Sequence, residues 1–170
     1  MSEPPTSGVS ILLPAYNLET SIASSIDRVV AATVALDDVE IIVCDDGSED
    51  DTRRAAETAA AGHGNVVVVG HRPNQGKGAA LQTAFAASTK PTVVFLDADM
   101  DLPPEQVPGF VAAMHDRSVD ALVGTKQEAM EPGRYPGYRR LLSKVFSGVI
   151  MLLFNLPVEE TQTGLKAFRR

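Results

Sequence analysis

Short apolar runs alternate along the chain with longer stretches whose apolar positions recur every three or four residues. The runs at 9–13, 39–44, 66–69, 92–96 and 121–123 are rich in β-branched residues, which predicts five strands. They are continuous rather than alternating, as expected for a sheet covered on both faces. Segments 18–36, 50–61, 77–87 and 103–115 read as helices. In the first of these, Ile22, Ile26, Val29, Val30 and Val34 fall near helical spacing. Pro103-Pro104 opens the last, where proline suits the first turn. Alternating strands and helices predict an α/β fold with a mainly parallel, Rossmann-like sheet and helices on both faces.

Such sheets bind ligands at the carboxyl ends of their strands. The residues there are polar after every run. They are Pro14-Ala15-Tyr16-Asn17, Asp45-Asp46-Gly47-Ser48, Asn74-Gln75-Gly76-Lys77-Gly78, Asp97-Ala98-Asp99-Met100-Asp101 and Gly124-Thr125-Lys126. The third is not a P-loop, because five residues rather than four separate Gly70 from Gly76, and Gly78 stands where Ser or Thr would hold magnesium. It is not a dinucleotide fingerprint either, since Leu81 occupies a position that needs Gly or Ala. What remains is a glycine-rich turn opening a helix, able to approach an anion through backbone N–H groups beside Lys77. Asp97, Asp99 and Asp101 follow a buried strand at alternate positions, which share one face in an extended segment, although metal-binding DxD segments are often turned. Oxygen ligands of this kind suit Mg²⁺ or Mn²⁺. An acidic helix cap before Pro103 explains Asp101 but not Asp97. A carboxylate at Asp45 or Asp46 can accept hydrogen bonds from a nucleobase N–H or a ribose hydroxyl, although Asp and Ser also make turns.

Charge sharpens the picture. The net charge of −7 disfavours a nucleic-acid partner. Residues 1–124 carry 7 basic and 18 acidic side chains, whereas 125–170 carry 8 basic and 4 acidic. That division suggests partners of different sign. One cysteine, Cys44, forms no internal disulfide and reads as a small buried side chain. No signal peptide and no run of eighteen apolar residues are visible. Arg134, Arg139, Arg140 and Lys144 lead into an apolar stretch ending at Phe154, which reads as an amphipathic helix over 134–156. Its basic start suits an anionic membrane surface, and Ser147-Gly148 equally suits close packing in a core.

Taken in order, these motifs resemble the family 2 glycosyltransferases of the GT-A fold, and among them the dolichol-phosphate mannose synthase-like, polyprenyl-phosphate branch. The resemblance includes Glu19 in the opening motif and a late Thr161-Gln162-Thr163-Gly164-Leu165-Lys166 segment. Glu160 and Leu165 depart from the Asp and Phe that relatives commonly carry. The resemblance implies one catalytic domain over 1–170, with a nucleotide- and metal-binding core over 1–124 and an acceptor-side segment over 125–170. It implies that Pro14, Ala15, Tyr16 and Glu19 line the nucleotide pocket with Lys77 and Ala98. Asp46, with Asp45, would hold the base or ribose, and Asp97 the sugar nucleotide. Asp99 and Asp101 would bind the metal, with Lys126 stabilising charge near the diphosphate. Arg134, Gln162 and Lys166 would lie on the acceptor side.

The implied reaction is metal-dependent, inverting transfer from a nucleoside-diphosphate sugar, such as GDP-mannose or a UDP-sugar, to a polyprenyl or dolichyl phosphate. It implies a cytoplasmic location, peripheral at the inner face of the membrane. An ionised phosphate acceptor needs no strong base, which fits His63, His71 and His115 lying outside the motifs. A sugar hydroxyl acceptor would need one, and Glu159 or Glu160 would be the candidate. Relatives usually continue beyond this point with closing or membrane-entering helices, so the chain is expected to be short at its C-terminal end. A non-catalytic sugar-nucleotide-binding fragment is the alternative. A nucleotidyltransferase is a weaker one, because Pro14-Ala15-Tyr16-Asn17 replaces the glycine-rich loop its first strand would need.

Overall fold

The computed structural model describes residues 8–124 and 164–170. Met1–Leu122 with Gly164–Arg170 form one compact unit, and Val123–Thr163 form a second. The predicted helix over 134–156, and Lys126, Arg134, Glu159, Glu160 and Gln162, lie outside the described residues.

The chain alternates as expected. The elements are β1 (Val9–Ala15), α1 (Ile22–Thr33), β2 (Val39–Asp45), α2 (Thr52–Ala60), β3 (Val66–Gly70), α3 (Lys77–Ala87), β4 (Thr92–Phe95), α4 (Val107–Asp116), β5 (Ala121–Val123) and β6 (Lys166–Arg169). Among the described residues they build a six-stranded sheet in the order β3-β2-β1-β4-β6-β5. The pairs β1–β2, β1–β4 and β2–β3 are parallel. The pair β4–β6 is antiparallel, with Phe95 opposite Lys166 and Thr92 opposite Arg169.

The continuous apolar runs are explained by two cores, one on each face. Ile11, Leu13, Ile41, Val43, Val94 and Leu96 point to the face covered by α1, α2 and α4. Leu12, Ile42, Cys44 and Val93 point the other way, against Ala80 and Ala84 of α3. Small residues on α3 let that helix sit close to the sheet while it carries the chain from β3 across to β4. The strand order therefore reverses between β1 and β4, and a crevice opens at their carboxyl ends.

Several boundaries differ from the sequence reading for local reasons. The first helix begins at Ile22 rather than residue 18, because the backbone from Asn17 to Glu19 is occupied in pairing with the loop before α2. At its other end Val34 is 84% exposed and does not join the core. Strand β1 runs two residues further than predicted, through Pro14. Beside β1, β4 pairs only as far as Phe95 opposite Leu12, so Pro14 sits on an open edge, where a sheet tolerates a missing N–H. Strand β6 was not predicted at all. Its four residues, Lys-Ala-Phe-Arg, carry two charges and no apolar run, and their pairing with β4 is what makes them a strand.

Candidate functional site

The first two loops at the carboxyl edge are sewn together. Asn17, at a left-handed φ of 52°, offers its N–H to Ser48 Oγ at 3.0 Å and its Oδ1 to Glu49 N at 3.0 Å. Leu18 N donates to Thr52 Oγ1 at 2.6 Å, and Glu19 N to Asp50 at 3.2 Å. The Glu19 carboxylate accepts from Asp51 N at 3.1 Å. It thus faces the outer groove between α1 and α2, and not the crevice.

The second loop is locked to the third. Gly47 has φ of 68°, and a Cβ there would lie 2.6 Å from Asn74 N, so only glycine permits this approach. Asp46 is 3% exposed and is gripped from several sides. Its Oδ1 accepts from His71 Nε2 at 2.8 Å and Gln75 N at 3.0 Å, and its Oδ2 from Asn74 Nδ2 at 3.0 Å. Asp45 points elsewhere. Its Oδ1 accepts from Ser48 N at 3.1 Å, while its buried Oδ2 has no hydrogen-bond partner among the described residues. Cys44 is buried as expected, and burial first, then the nearby Asp46 and Asp45 charges, push its thiol up to about 11.

The fourth loop is turned rather than extended. Met100, at φ of 57°, donates to Asp97 O at 3.1 Å, and Asp101 N donates to Asp99 Oδ1 at 3.2 Å. The alternate carboxylates therefore do not share one strand face. Asp97 and Asp99 line the crevice with Ala98, whereas Asp101 is not among its lining residues. The buried Ser25 hydroxyl of α1 donates to Ala98 O at 2.8 Å and anchors the turn to the core.

The crevice these loops enclose has a volume of about 420 Å³, and Pro14, Ala15, Tyr16, Asp46 and Lys77 complete its chemically equipped wall. Lys77, the first residue of α3, forms an ion pair with Asp97 Oδ1. From the far end of the chain, Gly164 packs against the other oxygen of the same carboxylate. Lys166 stands near both. Burial foremost, and then the Lys77 charge, hold its ammonium below the ordinary lysine range, against the pull of Asp97. One carboxylate is thus paired with Lys77, feels the charge of Lys166, and is closed on one side by a glycine.

Pro14, Ala15, Tyr16, Asp46, Lys77, Asp97, Ala98 and Asp99 come together, with Lys166 beside them. Glu19, Asp45 and Asp101 do not line the same space. Asn74 and Leu18 line it without having been singled out as site residues, and His71 supports it from behind. Asn74 was visible in the glycine-rich turn; nothing in the spacing of His71 pointed to Asp46. Among the described residues no three His, Cys, Asp or Glu side chains converge as a ready-made cation cage. Two oxygen-bearing carboxylates in one turn, Asp99 facing the crevice, are nevertheless a donor set that fits a hard divalent cation sharing its shell with phosphate oxygens and water.

Comparison with known proteins bears on this arrangement. The sequence profile described as Glycosyl transferase family 2 matches residues 10–170. The undecaprenyl-phosphate 4-deoxy-4-formamido-L-arabinose transferase of Klebsiella pneumoniae is 32% identical over 172 residues, covering 100% of this chain and 51% of that protein. Glycosyltransferase AglD of Haloferax volcanii is 29% identical, over 95% of this chain and 26% of its own length. The chain spans about half the length, or less, of the curated relatives it matches. In structure, the mannosyltransferase PcManGT from Pyrobaculum calidifontis, in complex with GDP-Man and Mn²⁺, superposes with a TM-score of 0.71. It is 24% identical, over 96% of this chain and 45% of that one. Glucosyl-3-phosphoglycerate synthase from Mycobacterium tuberculosis, with Mn²⁺, UDP and phosphoglyceric acid, also reaches 0.71, at 26% identity over 96% of this chain and 56% of that one.

Proposed function

The chain belongs to glycosyl transferase family 2 and has the GT-A fold, and from that premise we propose that it transfers a sugar from a nucleoside-diphosphate sugar to a polyprenyl phosphate. The single observation that carries this reading is the crevice at the strand-order reversal, where Asp46, Lys77, Asp97 and Asp99 face one volume. The relative in Klebsiella pneumoniae is named for an undecaprenyl-phosphate acceptor, which favours a lipid phosphate here. The donor is GDP-mannose or a UDP-sugar, the nucleotides of the two structural neighbours.

In this reading Asp46 accepts a hydrogen bond from the base or ribose, and Pro14, Ala15 and Tyr16 wall the pocket. Lys77 and Lys166 attract the diphosphate, and Asp97 contacts the sugar nucleotide. Asp99, with Asp101, holds Mg²⁺ or Mn²⁺; both neighbours are complexed with Mn²⁺. A bound divalent cation supplies Lewis-acid neutralisation of charge growing on the leaving diphosphate. Lys126 adds positive charge there, and Arg134 and Gln162 meet the acceptor phosphate. Attack by an ionised phosphate oxygen inverts the anomeric carbon without a protein base. The 134–156 segment lies against the inner face of the membrane and brings the site to its lipid. Among the described residues no helix is long and apolar enough to cross a membrane.

The test is a transfer assay across GDP- and UDP-sugars with Mn²⁺ or Mg²⁺ and a polyprenyl phosphate. Transfer that disappears in Asp99→Asn is the expected result. Metal-dependent nucleotide binding without turnover in every pairing would instead identify a binding fragment. Pelleting with anionic vesicles should weaken when Arg139 and Arg140 become Ala; unchanged pelleting would rule out contact through these arginines, and no pelleting at all would rule out the membrane contact.

A further inference from the structure

We propose that His71 is a positioning residue: held by Thr83, it aims the Asp46 carboxylate at the base or ribose of the bound nucleotide. The inference rests on the nucleotide-binding reading of the crevice. His71 is the first residue beyond β3, its side chain 15% exposed beside an Asp46 carboxylate 5% exposed. An ionised carboxylate only accepts, so the ring nitrogen 2.8 Å from Asp46 Oδ1, Nε2, carries the hydrogen. In the neutral ring Nδ1 is then the acceptor, and the Thr83 hydroxyl stands 3.2 Å away to donate to it. Thr83 lies on α3, the helix whose first residue reaches Asp97. One rigid element therefore sets both the lysine at the sugar-nucleotide carboxylate and the histidine at the nucleoside carboxylate.

The hydrogen-bond count shows what this arrangement leaves for a ligand. A carboxylate offers about four lone-pair sites. Two on Oδ1 are taken by His71 and Gln75, and one on Oδ2 by Asn74. The remaining site is on Oδ2, and Asp46 lines the crevice. A fixed, negative acceptor of this kind fits a base N–H or a ribose hydroxyl and repels phosphate. His71 thus acts on the nucleoside half of a ligand and not on the diphosphate half. Asn74 and Gln75 belong to the turn that Gly47 packs against, so they hold Asp46 whether or not His71 is present. The ring contributes direction, which is the quantity the experiment reads.

The experiment is titration of the full chain with UDP, GDP and inorganic pyrophosphate in Mn²⁺, with thermal melting alongside. His71→Leu is expected to weaken the preferred nucleoside diphosphate about 10-fold, the loss of one oriented charged hydrogen bond, and to leave pyrophosphate within about twofold. His71→Gln, whose amide N–H can stand in for Nε2, is expected to recover affinity to within about threefold. Thr83→Val is expected to fall between the two. Equal losses for pyrophosphate and nucleotide, or a Gln variant no better than Leu at an unchanged melting temperature, would overturn the assignment. If the Leu variant does not fold, the Thr83→Val comparison decides, and unchanged nucleotide affinity there overturns it. Wild-type chain that binds pyrophosphate but neither UDP nor GDP overturns the nucleoside reading of the crevice itself, and the role of His71 with it.

Discussion

Replacing Gly164 with alanine should damage the crevice while sparing the fold. A Cβ at that position lies 2.5 Å from Asp97 Oδ2 and 2.8 Å from its Cγ, where ordinary contact begins at 3.4 Å. The backbone of Gly164 is not in the left-handed region, so alanine adds no conformational strain there. The carboxylate must instead retreat by about 1 Å, since repulsion rises steeply inside contact distance. Its ion pair with Lys77 is then broken or bent. That pair is partly exposed, with side chains 56% and 26% accessible, so solvent screening limits the stability cost to about 1 kcal/mol or less. A sugar nucleotide that relies on donating a charged hydrogen bond to Asp97 loses more, about 1.5–3 kcal/mol, or about 10- to 100-fold in affinity. Calorimetric titration with a nucleoside-diphosphate sugar in Mn²⁺, together with a melting curve, separates the two effects. The expected result is a large affinity loss with a melting shift of at most a few degrees. Donor affinity within twofold of wild type would refute the reasoning, and so would a collapse in melting temperature.

Three further outcomes are expected. Gly47→Ala should lower stability by about 1–2 kcal/mol from its left-handed φ alone. It should also weaken nucleotide binding, because the new Cβ drives Asn74 off Asp46; denaturant melts and titration together check this. Ser25→Ala should cost about 1–3 kcal/mol by orphaning the buried Ala98 carbonyl, and should raise the donor KM by loosening the turn that holds Asp99. Glu40 is pushed upward by burial, but hydrogen bonds from Ser10, Thr89 and Lys90 outweigh this and hold its carboxyl below the ordinary value. Its stabilising effect is therefore present above the ordinary glutamate range and lost as pH falls through the lower, folded value. Glu40→Gln should be less stable than wild type at pH 7, and melting curves from pH 7 to pH 3 should show the difference shrinking.

Much of this was legible in sequence because the sheet is covered on both faces. Ile11-Leu12-Leu13, Ile41-Ile42-Val43-Cys44 and Val93-Val94-Phe95-Leu96 are unbroken apolar runs because neighbouring side chains enter opposite cores, and the ligand edge is wherever those runs stop. Local pairing rules do not reach further than that. The strand after Leu165 was illegible since nothing in Lys-Ala-Phe-Arg favours a strand without β4 beside it. Alternation at Asp97–Asp101 is compatible with an extended or a turned segment, and the choice of the Met100 turn depends on backbone hydrogen bonds that alternation does not encode. Glu19 sits next to a pocket motif in sequence, yet its carboxylate caps Asp51 across a loop-to-loop pairing that only the packed structure supplies. His71 lies outside every sequence motif, and only the fold brings it within 2.8 Å of Asp46.

The position of β6 also constrains how the protein is made. Among the described residues it is the last strand in sequence, yet in the sheet it lies between β4 and β5. During synthesis the edge of β4, with Val93, Val94 and Phe95, emerges long before its partner does. Until residues 166–169 leave the ribosome, that edge has unpaired backbone groups and apolar side chains, the combination that recruits other chains. Vectorial folding can therefore secure β3, β2, β1 and β4 early, while β6, the neighbour of β4, is inserted only after residues 166–169 have emerged.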